Sequence, residues 1–226
     1  MTSRPAGEPL TLSQLPLFPL QTVLFPGGWM SLRIFEVRYL DMIGRCHKAG
    51  APFGIVALSE GSEVRRINPS APPSGDGFAK EVFHSVGTLV QIEHLEKPQP
   101  GLMLIRCRGL QRFHITGRHQ LPHGLWVADV RLDDPEIVVP VPEHLVSARD
   151  ALQRLLKNLE QRDPQQLQDL PIQQPFQWND SGWLANRWAE LLPAPTELKQ
   201  RLMSLENPLV RLELVADMLD KLGLDS

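Results

Sequence analysis

Through the first half of the chain, short runs rich in β-branched and aromatic residues recur between Gly and Pro punctuation, the pattern of strands joined by turns. Strands are predicted at Leu15–Leu20, Phe53–Leu58, Phe83–Glu93, Leu102–Arg106, Gln111–Thr116 and Leu125–Arg131. Between the first two, Phe35, Tyr39, Met42 and Ile43 recur at three- and four-residue spacings, which predicts a helix over residues 35–48 with one apolar face, weakened by Gly44. The stretch Asn68–Gly77, NPSAPPSGDG, cannot bury enough apolar surface to order itself and reads as a loop between strands. Gly87 and Gly109 mark strand beginnings or bulges where a small closed sheet must bend.

From Glu143 onward the period becomes helical. Leu145, Ala148, Leu152, Leu155, Leu156 and Leu159 share one face of a helix that should end near Arg162. A second helix begins at Asp180 or Ser181, either of which could cap it, buries Leu184, Trp188, Leu191 and Leu192, and stops at Pro193 and Pro195. A third runs from Thr196 to about Leu205. The fourth has the clearest start: Asn207 can accept backbone N–H bonds as N-cap, and Pro208 takes the first helical position, where no donor is missed. Leu202 and Leu205 continue the rhythm of Leu209, Leu212, Val215, Leu219 and Leu222, so the third and fourth helices are expected to pair antiparallel.

Composition narrows the class. The chain of 226 residues is 42% hydrophobic and 22% charged, an ordinary globular balance. No apolar run approaches the roughly 20 residues that span a bilayer, and the N-terminus lacks a secretory pattern, so a soluble, cytoplasmic, non-membrane protein is expected. Cys46 and Cys107 lie in apolar-patterned segments and read as buried thiols, not as a disulfide or redox pair. Net charge is −3, divided as +3 over residues 1–130 and −6 over residues 131–226. Three prolines within DDPEIVVPVP, residues 133–142, mark the change, so a β-barrel subdomain over residues 1–135 and a helical subdomain over 142–224 are expected. Neither half has the dense basic surface that dominates nucleic-acid affinity.

The segment LPLFPLQTVLFPGGWMSLRIFEVRYLDMI, residues 15–43, carries a detailed spacing: Leu15-Pro16-Leu17-Phe18-Pro19-Leu20, then Val23-Leu24-Phe25-Pro26-Gly27, then Leu32, Ile34 and Phe35. Phe53-Gly54-Ile55-Val56, Gly87-Thr88-Leu89-Val90-Gln91-Ile92 and Arg108-Gly109-Leu110-Gln111-Arg112-Phe113-His114-Ile115 follow in order, and Lys199 to Leu212 close the series. Together these resemble the N-terminal, substrate-binding domain of the Lon proteases, over roughly residues 12–222. The resemblance implies an α+β fold, with an N-terminal PUA-like β pseudo-barrel holding one early helix and a C-terminal four-helix-type α bundle. It also implies a protein that binds unfolded or partner polypeptide, and that could work with a separate ATPase or protease. Lon proteases continue into an ATPase and a Ser/Lys peptidase. The sequence has no G-x-x-x-x-G-K-[ST] stretch and no recognisable nucleophile elbow, so a free-standing relative that binds without cutting, with no cofactor, is expected.

Trp29 and Met30 follow the turn at Pro26-Gly27-Gly28, where large apolar side chains can stay exposed, and with Phe25 they are the candidate apolar patch. Arg33, Glu36 and Arg38 flank the start of the first helix and could ring that patch with charge; as plain structure, Glu36 suits a helix N-terminus and the arginines are solvated. Trp126, Trp178, Trp183 and Trp188 read as core or interface packing. His119 and His123 sit in RHQLPHG, a hairpin in which Pro122 keeps a four-residue spacing from aligning two imidazoles on a metal. Two rival functions stand beside polypeptide binding: an RNA-binding PUA-like module, and a small-ligand sensor or enzyme using a cleft between the subdomains, which no residue constellation supports.

Overall fold

The computed structural model describes residues 10–63, 81–163, 165 and 170–224. The predicted loop at 68–77 lies outside the described residues. Two compact units emerge: residues up to Pro26 with Ser31–Asp134, and Gly27–Met30 with the chain from Pro135 onward.

The first unit is built on β1 (Thr11–Leu20), β2 (Trp29–Ile34) from Ser31 onward, α1 (Val37–Ala49), β3 (Phe53–Glu60), β4 (Val82–Gln99), β5 (Leu102–Gln120) and β6 (Trp126–Leu132). The strand order is β2-β5-β4-β3-β1-β6, and β5 also pairs with β6, so five strands close into a ring to which β2 is appended. β1 and β3 run parallel, Leu17 to Leu20 facing Gly54 to Ala57, whereas β1–β6, β3–β4, β4–β5 and β5–β6 are antiparallel. The two short strands expected on either side of Gly109 are one strand of 19 residues. Gly109 does not interrupt it: Thr88 faces Arg112 while Val90 faces Gly109, so β5 carries one extra residue there, a bulge that bends the strand without ending it. β2 was not legible as a strand, because WMSLRI follows two glycines and does not alternate cleanly.

Closure depends on one aromatic ring. Phe113 is fully buried among Leu15, Leu17, Val56, Leu58, Phe83, Leu89, Ala128, Val130 and Leu132. A Cβ on Gly54 would come within 2.8 Å of its ring, and a Cβ on Gly87 within 2.5 Å of both that ring and the Ile55 carbonyl. Two adjacent strands thus give up a side chain to admit the phenyl group. Near the bulge, a Cβ on Gly109 would meet the Phe25 carbonyl at 2.5 Å, and the Thr88 hydroxyl donates to the Leu24 carbonyl. The missing side chain and the hydroxyl let residues 24–25 lie buried with a polar group satisfied.

The second unit holds a 3-10 turn, Glu143–Leu145, then α2 (Val146–Arg162), α3 (Ser181–Leu191), α4 (Thr196–Ser204) and α5 (Pro208–Leu222). Asp180 caps α3 by accepting from Gly182 N at 2.9 Å, and the Trp188 indole donates to the Ala148 carbonyl of α2 at 2.8 Å. The main helix partner of α5 is α3, not α4 as the leucine rhythm predicts. Arg211 explains part of this. It is almost fully buried, pairs twice with Glu136 at 2.7 and 3.1 Å, reaches Asn186 of α3 at 3.0 Å, and donates to the carbonyls of Leu202 and Leu205. A chain that continues from α4 into α5 is therefore held by an ionic centre as well as an apolar seam.

Asn207 accepts from Leu209 N at 2.9 Å and Val210 N at 3.3 Å, with Pro208 at the first helical position. Asn207→Ala should cost about 1 kcal/mol of stability, read as a lower midpoint in urea with an unchanged slope. A cost below a few tenths would mean that tertiary packing alone fixes the helix start. Among the described residues no helix is long and apolar enough to cross a membrane.

Candidate functional site

Where β2 turns into α1, the first unit opens a cleft of about 290 Å³ lined by Phe18 and Leu20 of β1, residues 31–36, Tyr39 and Glu63. Its floor is apolar. Phe18, Leu20, Ile34 and Tyr39 are buried, and the Phe18 and Tyr39 rings stack with centroids 4.1 Å apart. Phe35 lines the cleft and remains 56% exposed, followed by Val37 at 80%. The sequence reading placed Phe35 on the buried face of the helix, but α1 begins at Val37. Glu36 takes the N-cap position in extended backbone, so Phe35 belongs to the turn and points away from the core stripe of Tyr39, Met42 and Ile43.

The charged residues divide by role. Arg33 is exposed and, with Glu36 and Glu63, lines the cleft. Glu63 accepts the Gln21 backbone N–H at 2.6 Å. Arg38, expected to be solvated, is buried and does not line the cleft. Its guanidinium reaches Glu36 at 3.1 Å, Glu81 at 2.9 Å and the Gly124 carbonyl at 2.8 Å, and lies 4.5 Å from the Tyr39 ring centroid. Burial works against its charge, but the Glu81 hydrogen bond and the fields of Tyr39, Glu81 and Glu36 outweigh that and raise its pKa. Glu36 gives no side-chain cap to α1 because its carboxylate turns to Arg38. Glu81 also accepts the Trp126 indole N–H at 2.7 Å, so Arg38 fixes the Glu36 turn to the barrel wall.

The proposed apolar patch does not assemble as expected. Phe25 is fully buried, held where the chain passes Gly109, and offers no surface to a ligand. Trp29 and Met30 are half-buried and belong to the second unit, where the Trp29 N–H donates to the Pro171 carbonyl at 3.0 Å. Phe18, Leu20, Phe35, Tyr39 and Glu63 were missed. Only Phe35 left a local signal, as the apolar residue just outside an acidic helix start; the others are brought together by strand pairing.

Chemically the cleft offers apolar contact, one guanidinium and two carboxylates. Among the described residues no group of three or more His, Cys, Asp or Glu is placed to hold a metal. Burial pushes the Cys107 thiol up to about 12 and raises that of Cys46, so neither presents a thiolate. His119 lies on β5, with Leu121 N donating to the Leu125 carbonyl across the following hairpin. His114 and Arg112 meet Asp133 at 3.0 and 3.2 Å in an ion cluster on the barrel, away from the cleft residues.

Residues 14–221 match the family model of the ATP-dependent protease La (LON) substrate-binding domain. The chain is similar to the crystal structure of a Lon N-terminal domain protein from Xanthomonas campestris, at 27% identity and a TM-score of 0.67, over 91% of this chain and 98% of that one. It also shares the fold of the N-terminal domain of the Mycobacterium avium complex Lon protease, at 16% identity and a TM-score of 0.51, over 90% and 96% of the two chains. Comparison with curated proteins gave no match.

Proposed function

Because the chain belongs to the family of ATP-dependent protease La (Lon) substrate-binding domains, we propose that it captures exposed apolar segments of polypeptide in the cleft between β1, β2 and the start of α1. The family role is substrate binding, without catalysis in this domain. The observation that carries the assignment to this cleft is its pairing of a buried apolar floor with the exposed Phe35 at its rim. A volume of about 290 Å³ sits at the lower end of the roughly 300–1,000 Å³ of ligand clefts, enough for side chains of a segment but not for a folded domain. Bound segments would pass to a separate ATPase or protease.

The test is fluorescence anisotropy of a labelled, permanently unfolded apolar peptide. Phe35→Asp should weaken binding by about tenfold or more, since burying one large apolar side chain is worth roughly 1.5–3 kcal/mol, with the melting temperature little changed. Binding should persist as salt rises, because apolar contact is not screened. Unchanged affinity in Phe35→Asp would remove the cleft from the reading. Steeply salt-dependent binding of RNA in place of peptide would favour the nucleic-acid alternative.

A further inference from the structure

Two strand segments bordering the cleft lack a strand neighbour on one side among the described residues. β2 ends the strand order, with β5 as its neighbour. β1 pairs with β6 only as far as Leu17, which faces Trp126, while its last residues keep β3 on the other side. The cleft residues Phe18 and Leu20 lie beyond that last β6 pair, and Ser31 to Ile34 lie on β2. An open strand edge suits another extended chain, and chaperone-like and peptide-binding modules use such edges for strand addition; here Ser31–Ile34 of β2 carry both backbone donors and acceptors, whereas β1 lacks a donor at Pro19. We infer that the polypeptide occupant of the cleft binds as an added β-strand, an extended segment with apolar side chains at alternate positions. This inference rests on the function proposed above.

Alternation follows from the geometry. A strand laid along β2 directs every second side chain to one face, so the buried floor of Phe18, Leu20, Ile34 and Tyr39 accepts alternate residues and leaves those between to solvent. The rim adds a charge preference. Glu36 and Glu63 outnumber Arg33 among the ionisable side chains that line the cleft, so Lys or Arg at the solvent-facing positions suits it better than Asp or Glu. Segments of this kind are the apolar strands that folded proteins hide and unfolded ones expose, whereas helix-forming or proline-rich segments cannot supply the alternating backbone donors.

The experiment uses the full chain and a fluorescein-labelled peptide with alternating Val and Lys. Two further peptides carry backbone N-methyl groups on the odd or on the even residues, which remove donors without altering side chains. Strand addition predicts that one methylated set binds at least about tenfold more weakly, from the loss of two or more hydrogen bonds, while the other set stays within about twofold of the parent. It also predicts slowed amide exchange within Ser31–Ile34 on binding. If the parent peptide binds and both methylated sets match it, strand addition is wrong and capture of apolar polypeptide stands. If the parent does not bind while the folded chain is intact, the function proposed for the cleft falls, and the inference with it.

Discussion

Phe113→Ala should cost the first unit about 3–5 kcal/mol, the upper range for removing a buried aromatic side chain, and leave it largely unfolded at moderate urea. The size follows from where the ring sits. Gly54 and Gly87 yield their side-chain space to it, so no neighbouring side chain extends from either position to fill the hole, and two strands on which closure depends lose their common contact. Chemical denaturation followed by the fluorescence of Trp126, whose ring meets Phe83 in the same core at 5.3 Å, reads the loss. Phe113→Leu should recover much of the stability, as a branched chain of similar reach leaves a smaller void. A cost under about 1.5 kcal/mol for the alanine variant would show that the strands close up around the notch.

Arg211→Met should be nearly as damaging to the second unit, at about 3–5 kcal/mol, because breaking a buried ion pair leaves its partners desolvated. Glu136, Asn186 and the carbonyls of Leu202 and Leu205 all lose a donor at once. Glu136 retains some contact with water, its side chain being 27% exposed, which holds the expected cost toward the lower end. The double variant Arg211→Met with Glu136→Met should be more stable than the single one, since the uncompensated carboxylate is gone. Thermal unfolding followed by helical circular dichroism measures both. A single variant that melts as the wild type does would mean that the apolar seam of Leu212, Val215 and Leu219 holds α5 without the ionic centre.

Local signals carried the helices well and the cleft poorly. Asn207 followed by Pro208 marks a helix start through bonds made within three residues, so the sequence alone locates it. Gly109 shows the opposite case: glycine in a strand pattern is compatible with a break or a bulge, and only the partner register in β4 decides between them. Phe25 and Phe35 show why exposure beside a turn could not be read from the sequence. Both are apolar residues beside a turn, yet one is buried against a glycine 84 positions later and the other projects beside the cleft. Arg211 was read over for a similar reason. Its position within a leucine stripe says nothing of Glu136, which comes 75 residues earlier. The stacking of Phe18 on Tyr39 depends likewise on how β1 and α1 meet, which no periodicity encodes.

The pairing of β1 with β6 bears on how the protein is made. Gln14, in left-handed backbone at the irregularity of β1, donates through its N–H to Asp129, 115 residues away, and Leu12 faces Val130. During synthesis the β6-facing edge of β1 therefore waits for the last strand of its own sheet, and at roughly 5–20 residues per second that interval lasts several seconds or more. Leu17–Leu20 can pair with β3 much sooner, but the edge of β1 from Thr11 to Leu17 that faces β6 stays open throughout. The prolines at 16 and 19 remove two backbone donors from that waiting strand, which makes it a poorer template for aggregation during the delay. The helices of the second unit form from contacts mostly nearer in sequence and face no comparable wait. A protein proposed to capture exposed apolar strands thus exposes a strand edge of its own while its sheet is incomplete.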